Sequence, residues 1–123
     1  PKRKVVILGG YGTFGRHIAE HLSALSDAQV TIAGRHPDKG MRVANSLDTD
    51  YRRCDANNST SLRNAVEDAW LVINASGPFQ AGNYSIPQTC VAVGSHYIDI
   101  ADGRDYVANI VQLDEAARAR NVF

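Results

Sequence analysis

Between an apolar run, Val5-Val6-Ile7-Leu8, and a stretch of helical periodicity lies Gly9-Gly10-Tyr11-Gly12-Thr13-Phe14-Gly15. A strand that turns through glycines directly into a helix leaves few folds open. Gly10, Gly12 and Gly15 fit G-x-G-x-x-G in the strand–helix context that gives the pattern its meaning. Gly10 is expected to allow the tight turn, Gly12 to let a diphosphate approach the backbone, and Gly15 to bring the helix close to the strand. The N–H groups around Thr13, Phe14 and Gly15, together with the helix dipole, then face an anion. A P-loop is excluded, because Gly15 is followed by Arg16-His17 rather than by Lys and Ser/Thr.

Downstream, short β-branched runs alternate with helical patterns. Strands are expected at 5–8, 30–33, 51–54, 71–74 and 96–100. The continuous apolar first run suits a strand covered on both faces. Helices are expected over about 14–25, in a short form within 37–47, and over about 61–68, 87–94 and 106–120. In the first, Phe14, Ile18, Leu22 and Leu25 fall on one apolar face. Asn58 to Thr60 offer N-caps, Pro87 suits a first helical turn and Gly94 a left-handed end. This alternation predicts an α/β fold, a doubly wound, mostly parallel Rossmann sheet of order 3-2-1-4-5, with a sixth strand beginning at Val122. Its switch point, between strands one and four, is lined by residues 9–15 and 74–79.

The 123 residues suffice for one domain and not for two. With 44% hydrophobic and 21% charged residues, the composition is that of an ordinary globular protein. The net charge is zero, which gives no basis for nucleic-acid or membrane-surface binding. Residues 1–53 carry 9 Lys/Arg against 5 Asp/Glu, and residues 54–123 carry 4 against 8, so an anion site is expected in the first half. Cys54 and Cys90 lack ligand spacing and read as thiols of a reducing, cytoplasmic protein. No apolar run approaches the ~18 residues of a membrane span, and no signal peptide is visible. The chain opens at Pro1 without Met and stops where another strand would start. We therefore expect residues 1–123 to be one dinucleotide-binding domain, inactive alone, with a substrate domain after Phe123.

The residues after strand two indicate which dinucleotide. A site for NAD usually has Asp or Glu about 20 residues beyond the glycines, where it accepts bonds from the ribose hydroxyls. Here that strand ends Ala33-Gly34-Arg35-His36. A carboxylate would repel a 2′-phosphate, whereas a guanidinium grips one through two charge-assisted bonds. Lys39 and Arg42 add to the same field. Gly34, Arg35 and His36 thus point to NADP(H).

Three stretches carry a family resemblance: the glycine loop, Asn74-Ala75-Ser76-Gly77-Pro78-Phe79, and Cys90-Val91-Ala92-Val93-Gly94-Ser95-His96-Tyr97-Ile98-Asp99. Together they resemble the NADP-binding domain of the saccharopine dehydrogenase family across essentially the whole chain. The resemblance implies an NADP(H)-dependent oxidoreductase that moves hydride between nicotinamide and a C–N centre, with an α+β substrate domain. It places Asp55 near the adenine, and Ser76, Gly77 and Pro78, with Ala75 in the same loop, against the nicotinamide ribose and diphosphate. Phe79 and Asp99 would edge the substrate cleft. With Gly10, Tyr11, Gly12, Thr13, Phe14 and Gly15 these form the expected site, without a metal and without an identified acid or base. Trp70 departs from the Asp common before strand four in that family, a change expected to affect packing. Expected partners are a small-molecule substrate held by the missing domain and, in the full-length protein, a second copy.

Other signals are discounted. His17-Ile18-Ala19-Glu20-His21 matches H-x-x-E-H, but both histidines are expected to be solvated, turned away from Phe14, Ile18 and Leu22. Tyr97 reads as core, and Asp102 and Asp105 as a solvated turn. Gly9, Gly12 and Gly15 also fit the G-x-x-G-x-x-G of short-chain dehydrogenases and epimerases, which need Tyr four residues before Lys; the lysines here stop at Lys39, so that alternative requires the missing part to supply the pair. A methyltransferase wants an acidic residue where Arg35 stands. A non-catalytic NADP-sensing domain would need the same cofactor loop without a hydride acceptor.

Overall fold

Val5, Val6, Ile7 and Leu8 are all buried because their strand is the middle of the sheet and is covered on both faces. The computed structural model describes residues 2–25, 27–77, 79 and 82–123. Strands β1 (Arg3–Leu8), β2 (Ala28–Gly34), β3 (Asp50–Arg53), β4 (Leu71–Asn74) and β5 (His96–Asp99) form one parallel sheet of order β3-β2-β1-β4-β5. Ile7 stands level with Ile32 on one side and Ile73 on the other. Order and direction are those expected from the alternating pattern.

Helices α1 (Thr13–Ser23) and α2 (Pro37–Ser46) pack on one face, where Val5, Ile7, Ile32, Val43 and Ala44 meet. Helices α3 (Ser59–Val66) and α4 (Ser85–Val93) cover the other, over Val6, Leu8, Leu62, Val66, Val72 and Cys90. The Asn58 side chain caps α3 by accepting from the Ser61 N–H at 2.9 Å. Helix α4 starts two residues before Pro87 and ends at Gly94, whose φ of +82° is the left-handed stop expected there. Buried Ser95 directs its hydroxyl at Ala69 O (2.7 Å) and Val66 O (3.1 Å), tying the start of β5 to the end of α3.

Two expectations about α1 need correction. Phe14 is 68% exposed and Leu25 51% exposed, so neither belongs to the packed face of α1. Gly15 and Ala19 are the buried residues, because at the sheet the helix approaches too closely for large side chains. At about 100° per residue, Phe14 falls between His21 and Ile18 rather than beside Ala19. His17 and His21 are exposed but not turned away: with Ile18, Leu22 and Ile73 they line a shallow groove. Among the described residues no group of three or more His, Cys, Asp or Glu side chains could hold a metal.

The last helix is broken into α5 (Arg104–Asn109), a 3₁₀ turn (Ile110–Leu113) and α6 (Asp114–Ala119). Val122 and Phe123 form no strand; the Tyr97 N–H donates to Phe123 O at 2.7 Å, and the Phe123 ring stacks on His96 at 4.3 Å. Trp70 packs as expected of a structural residue, under the Arg3 guanidinium (4.2 Å) and edge-on to His96 (5.1 Å). Among the described residues no helix is long and apolar enough to cross a membrane.

Candidate functional site

The sheet order places the carboxyl ends of β3, β2, β1 and β4 side by side, and one cleft of about 470 Å³ runs across them. The glycine loop forms its centre. The tight turn is expected of Gly10, whereas the residue with positive φ is Gly9 (+74°). A Cβ at Gly9 would stand 3.0 Å from Ser76 Cα, so the loops after β1 and β4 touch at the backbone. Gly10 is instead needed because a Cβ there would meet the Ile32 side chain at 2.9 Å. Gly12, which caps α1, has only Gly9 O, at 3.4 Å, near the place a Cβ would take. Its exposed face belongs to the cleft wall, which fits the approach of a phosphate group. Gly15 lies behind the wall, where a Cβ would run into the Gly9 carbonyl. Gly10, Thr13 and Phe14 also lie outside the wall; what Thr13, Phe14 and Gly15 offer is their first-turn N–H groups, which an α-helix leaves without internal partners.

At the end of β2, Gly34, Arg35 and His36 line the cleft together with Tyr11. The His36 N–H donates to Tyr11 Oη at 3.2 Å, and Tyr51 Oη donates to Gly34 O at 2.6 Å. Among the described residues Arg35 forms no ion pair. Lys39 and Arg42 are exposed on α2 and stand outside the wall. Past β3, Cys54, Ala56 and Asn57 line the cleft while Asp55 does not; its carboxylate accepts the Asn57 N–H at 3.0 Å and shapes that turn. Burial, and secondarily Asp55, pushes the Cys54 thiol pKa up.

Beyond β4, Ala75, Ser76, Gly77 and Phe79 line the cleft, and Pro78 lies outside the described residues. Asn74, only 3% exposed, organises this end. Its amide nitrogen donates to Tyr97 Oη at 3.2 Å, and Tyr97 donates to the Asp99 carboxylate at 2.8 Å. The Tyr97 and Tyr106 hydroxyls lie 3.3 Å apart. Tyr106 lines the cleft and meets the Phe79 ring edge-on at 5.4 Å, whereas Asp99 stands one residue removed, behind Tyr97. Burial raises the pKa of Tyr97 strongly and that of Tyr106 to about 12, so both remain phenols at neutral pH. Tyr97, read from sequence as core, is thus half-buried and wired into the rim of the cleft.

The far end is closed by Asn83, Ser85, Ile86 and Pro87 at the start of α4 and by Tyr106 of α5. None of these, nor Leu8, Ala33, Cys54, Ala56 or Asn57, was singled out as a site residue from sequence, whereas Gly9 and Asn74 fall in the loops expected to line the switch point. For Asn74 a signal existed: a lone amide ending an apolar strand at the switch point. The α4 and α5 residues arrive from distant parts of the chain and carry no local mark.

The family described as saccharopine dehydrogenase NADP binding domain matches residues 5–122. Among solved structures, the chain is similar to apo saccharopine dehydrogenase (L-Glu forming) from Saccharomyces cerevisiae, with TM-score 0.80 and 16% identity over 98% of this chain and 26% of that one. It is also similar to the Pseudomonas aeruginosa RhlG/NADP complex (TM-score 0.73, 15% identity, 98% of this chain and 68% of that one). A third is an actinorhodin polyketide ketoreductase variant with NADPH (TM-score 0.73, 13% identity, 98% and 67%). At these identities the three structures share the fold. The chain spans about a quarter of the length of the yeast enzyme. No curated protein sequence matches it.

Proposed function

The chain belongs to the saccharopine dehydrogenase NADP-binding domain family, and from that premise we propose that it is the coenzyme-holding part of an oxidoreductase acting on a C–N centre. One observation carries the reading of its own residues. A single cleft joins a glycine loop with an open Gly12 face to a basic pair, Arg35-His36, directly after the strand end where a carboxylate would select NAD. The loop at Gly9 to Gly12 and the first turn of α1 hold the diphosphate. Arg35 and His36 take the 2′-phosphate. Cys54, Ala56 and Asn57 flank the adenine, with Asp55 shaping their turn. Ser76 and Gly77 hold the nicotinamide ribose, leaving Phe79 and the Tyr97–Asp99–Tyr106 cluster at the substrate side.

When bound, the nicotinamide supplies or accepts the hydride. Tyr97 and Tyr106, whose pKa values burial raises, are suited to orient groups by hydrogen bonding. We assign the acid–base role to a substrate domain outside residues 1–123, and expect the domain alone to bind coenzyme without turnover. Calorimetric titration with NADPH and NADH side by side tests the binding reading: tight NADPH and weak NADH binding are expected. Binding of neither at millimolar levels, or turnover by residues 1–123 alone, would overturn it. Hydride transfer by the full-length protein tests the enzymatic part.

A further inference from the structure

Tyr11 is the first residue of the cleft wall after the Gly9 turn, and its ring lies across the end of β2. A Cβ on Gly34 would come within 2.5 Å of Tyr11 Oη and 2.7 Å of Cζ, closer than real side chains approach. Gly34 is held from the other side as well, since Tyr51 Oη donates to its carbonyl at 2.6 Å. Position 34 therefore admits no side chain while Tyr11 keeps its place. That position ends β2, where an acidic residue recognises an unphosphorylated ribose. The Tyr11 hydroxyl is also half used. It accepts the His36 N–H at 3.2 Å, and among the described residues no acceptor takes its own proton. It lines the cleft beside Arg35 and His36, so a spare donor is available where an anion would sit.

We propose that Tyr11 determines coenzyme choice: its ring bars a carboxylate from position 34, and its hydroxyl donates to the ribose 2′-phosphate. This rests on the NADP reading above and extends it from Arg35 to the glycine loop. No proton is transferred; the hydroxyl donates a hydrogen bond to a phosphate oxygen.

The test is NADPH and NADH titration of four proteins: wild type, Tyr11→Phe, Gly34→Asp, and Gly34→Asp combined with Tyr11→Ala. Tyr11→Phe keeps the ring and should lose about tenfold or more in NADPH affinity with NADH unchanged, as one hydrogen bond to a charged group warrants. Gly34→Asp alone should lose NADPH without gaining NADH, because the ring occupies the carboxylate's space. Removing the ring in the double variant should raise NADH affinity about tenfold over the Gly34→Asp protein. Equal changes for both coenzymes in Tyr11→Phe, no change at all, or a gain of NADH binding by Gly34→Asp with Tyr11 in place would overturn the proposal. Should Gly34→Asp fail to fold, as judged by circular dichroism, the Tyr11→Phe comparison still decides the hydroxyl's part, and the double variant's NADH affinity against wild type decides the ring's, with no gain overturning it. A wild type that does not prefer NADPH removes the reading beneath it; a wild type that does, with Tyr11→Phe unaltered, removes this proposal alone.

Discussion

The side-chain oxygen of Asn74 accepts both the backbone N–H and the hydroxyl of Ser76, at 3.0 and 2.6 Å. Asn74 is buried, and its nitrogen donates to Tyr97, so one amide fixes the loop after β4 and also anchors the tyrosine cluster. Asn74→Ala would leave the Ser76 N–H and its hydroxyl without that acceptor. The expected cost is about 1–3 kcal/mol in denaturant titration, with weaker NADPH binding because the loop is no longer set. Asn74→Asp keeps the acceptor but sets a second carboxylate near Asp99. Burial and like charge raise such a group's folded-state pKa above its unfolded value, so its deficit relative to wild type should shrink as pH falls through that pKa. A pH-independent deficit in Asn74→Asp would contradict this.

How much of this could be seen beforehand differs from residue to residue. The sheet order follows from apolar runs alternating with helical periods, because a strand buried on both faces has no polar side to show, as at Val5 to Leu8. Phe14 misled because periodicity registers hydrophobicity and not size. Where α1 crosses β1 the spacing admits only Gly15 and Ala19. The glycine pattern located the loop and assigned its tight turn to Gly10, whereas the residue with positive φ is Gly9. Arg35 was legible since it directly follows its strand. Asn83, Ser85, Ile86 and Tyr106 were not, since only the packing of α4 and α5 brings them to the cleft.

Arg35→Ala should weaken NADPH binding ten- to a hundredfold, the equivalent of one charged hydrogen bond of ~1.5–3 kcal/mol. NADH affinity should hardly move, and melting temperature without coenzyme should not change, because Arg35 is exposed and forms no ion pair among the described residues. Raising salt should narrow the gap between wild type and variant. Equal losses for both coenzymes would place Arg35 outside the phosphate site.

Asp68 sits between Arg52 Nη1 (2.9 Å) and Lys4 Nζ (3.4 Å), tying β3 and β1 to the turn after α3. The Arg52 hydrogen bond foremost, against a partial offset from burial, holds its carboxyl below the ordinary 3.8. A folded-state pKa below the unfolded one adds stability that is fully present above the unfolded value and is lost as pH falls through the folded value. Asp68→Asn should therefore be less stable than wild type at pH 7, by at most ~1 kcal/mol given the solvent exposure of the pair. The two proteins should converge as pH drops below about 3.8. Denaturant titrations at several pH values check this, and a difference that persists undiminished in strong acid would count against it.

Gly12 and Gly15 lie one helical turn apart, and the same substitution should damage them in different ways. At Gly12 the backbone is extended (φ −78°, ψ 177°), and a Cβ would meet nothing closer than Gly9 O at 3.4 Å. Alanine there should leave stability within about 1 kcal/mol of wild type, since it also reduces the freedom of the unfolded chain. Its methyl group would stand on the cleft wall where the diphosphate must pass, so NADPH and NADH should weaken together, by more than about tenfold. At Gly15 a methyl group would collide with the Gly9 carbonyl, which no rotamer change relieves. Helix α1 would have to shift off β1, at an expected cost of ~2 kcal/mol or more. Thermal melts without coenzyme should separate the two variants, and titration of Gly12→Ala should show the binding loss in a folded protein. Undiminished coenzyme binding by Gly12→Ala would mean that no diphosphate crosses that face.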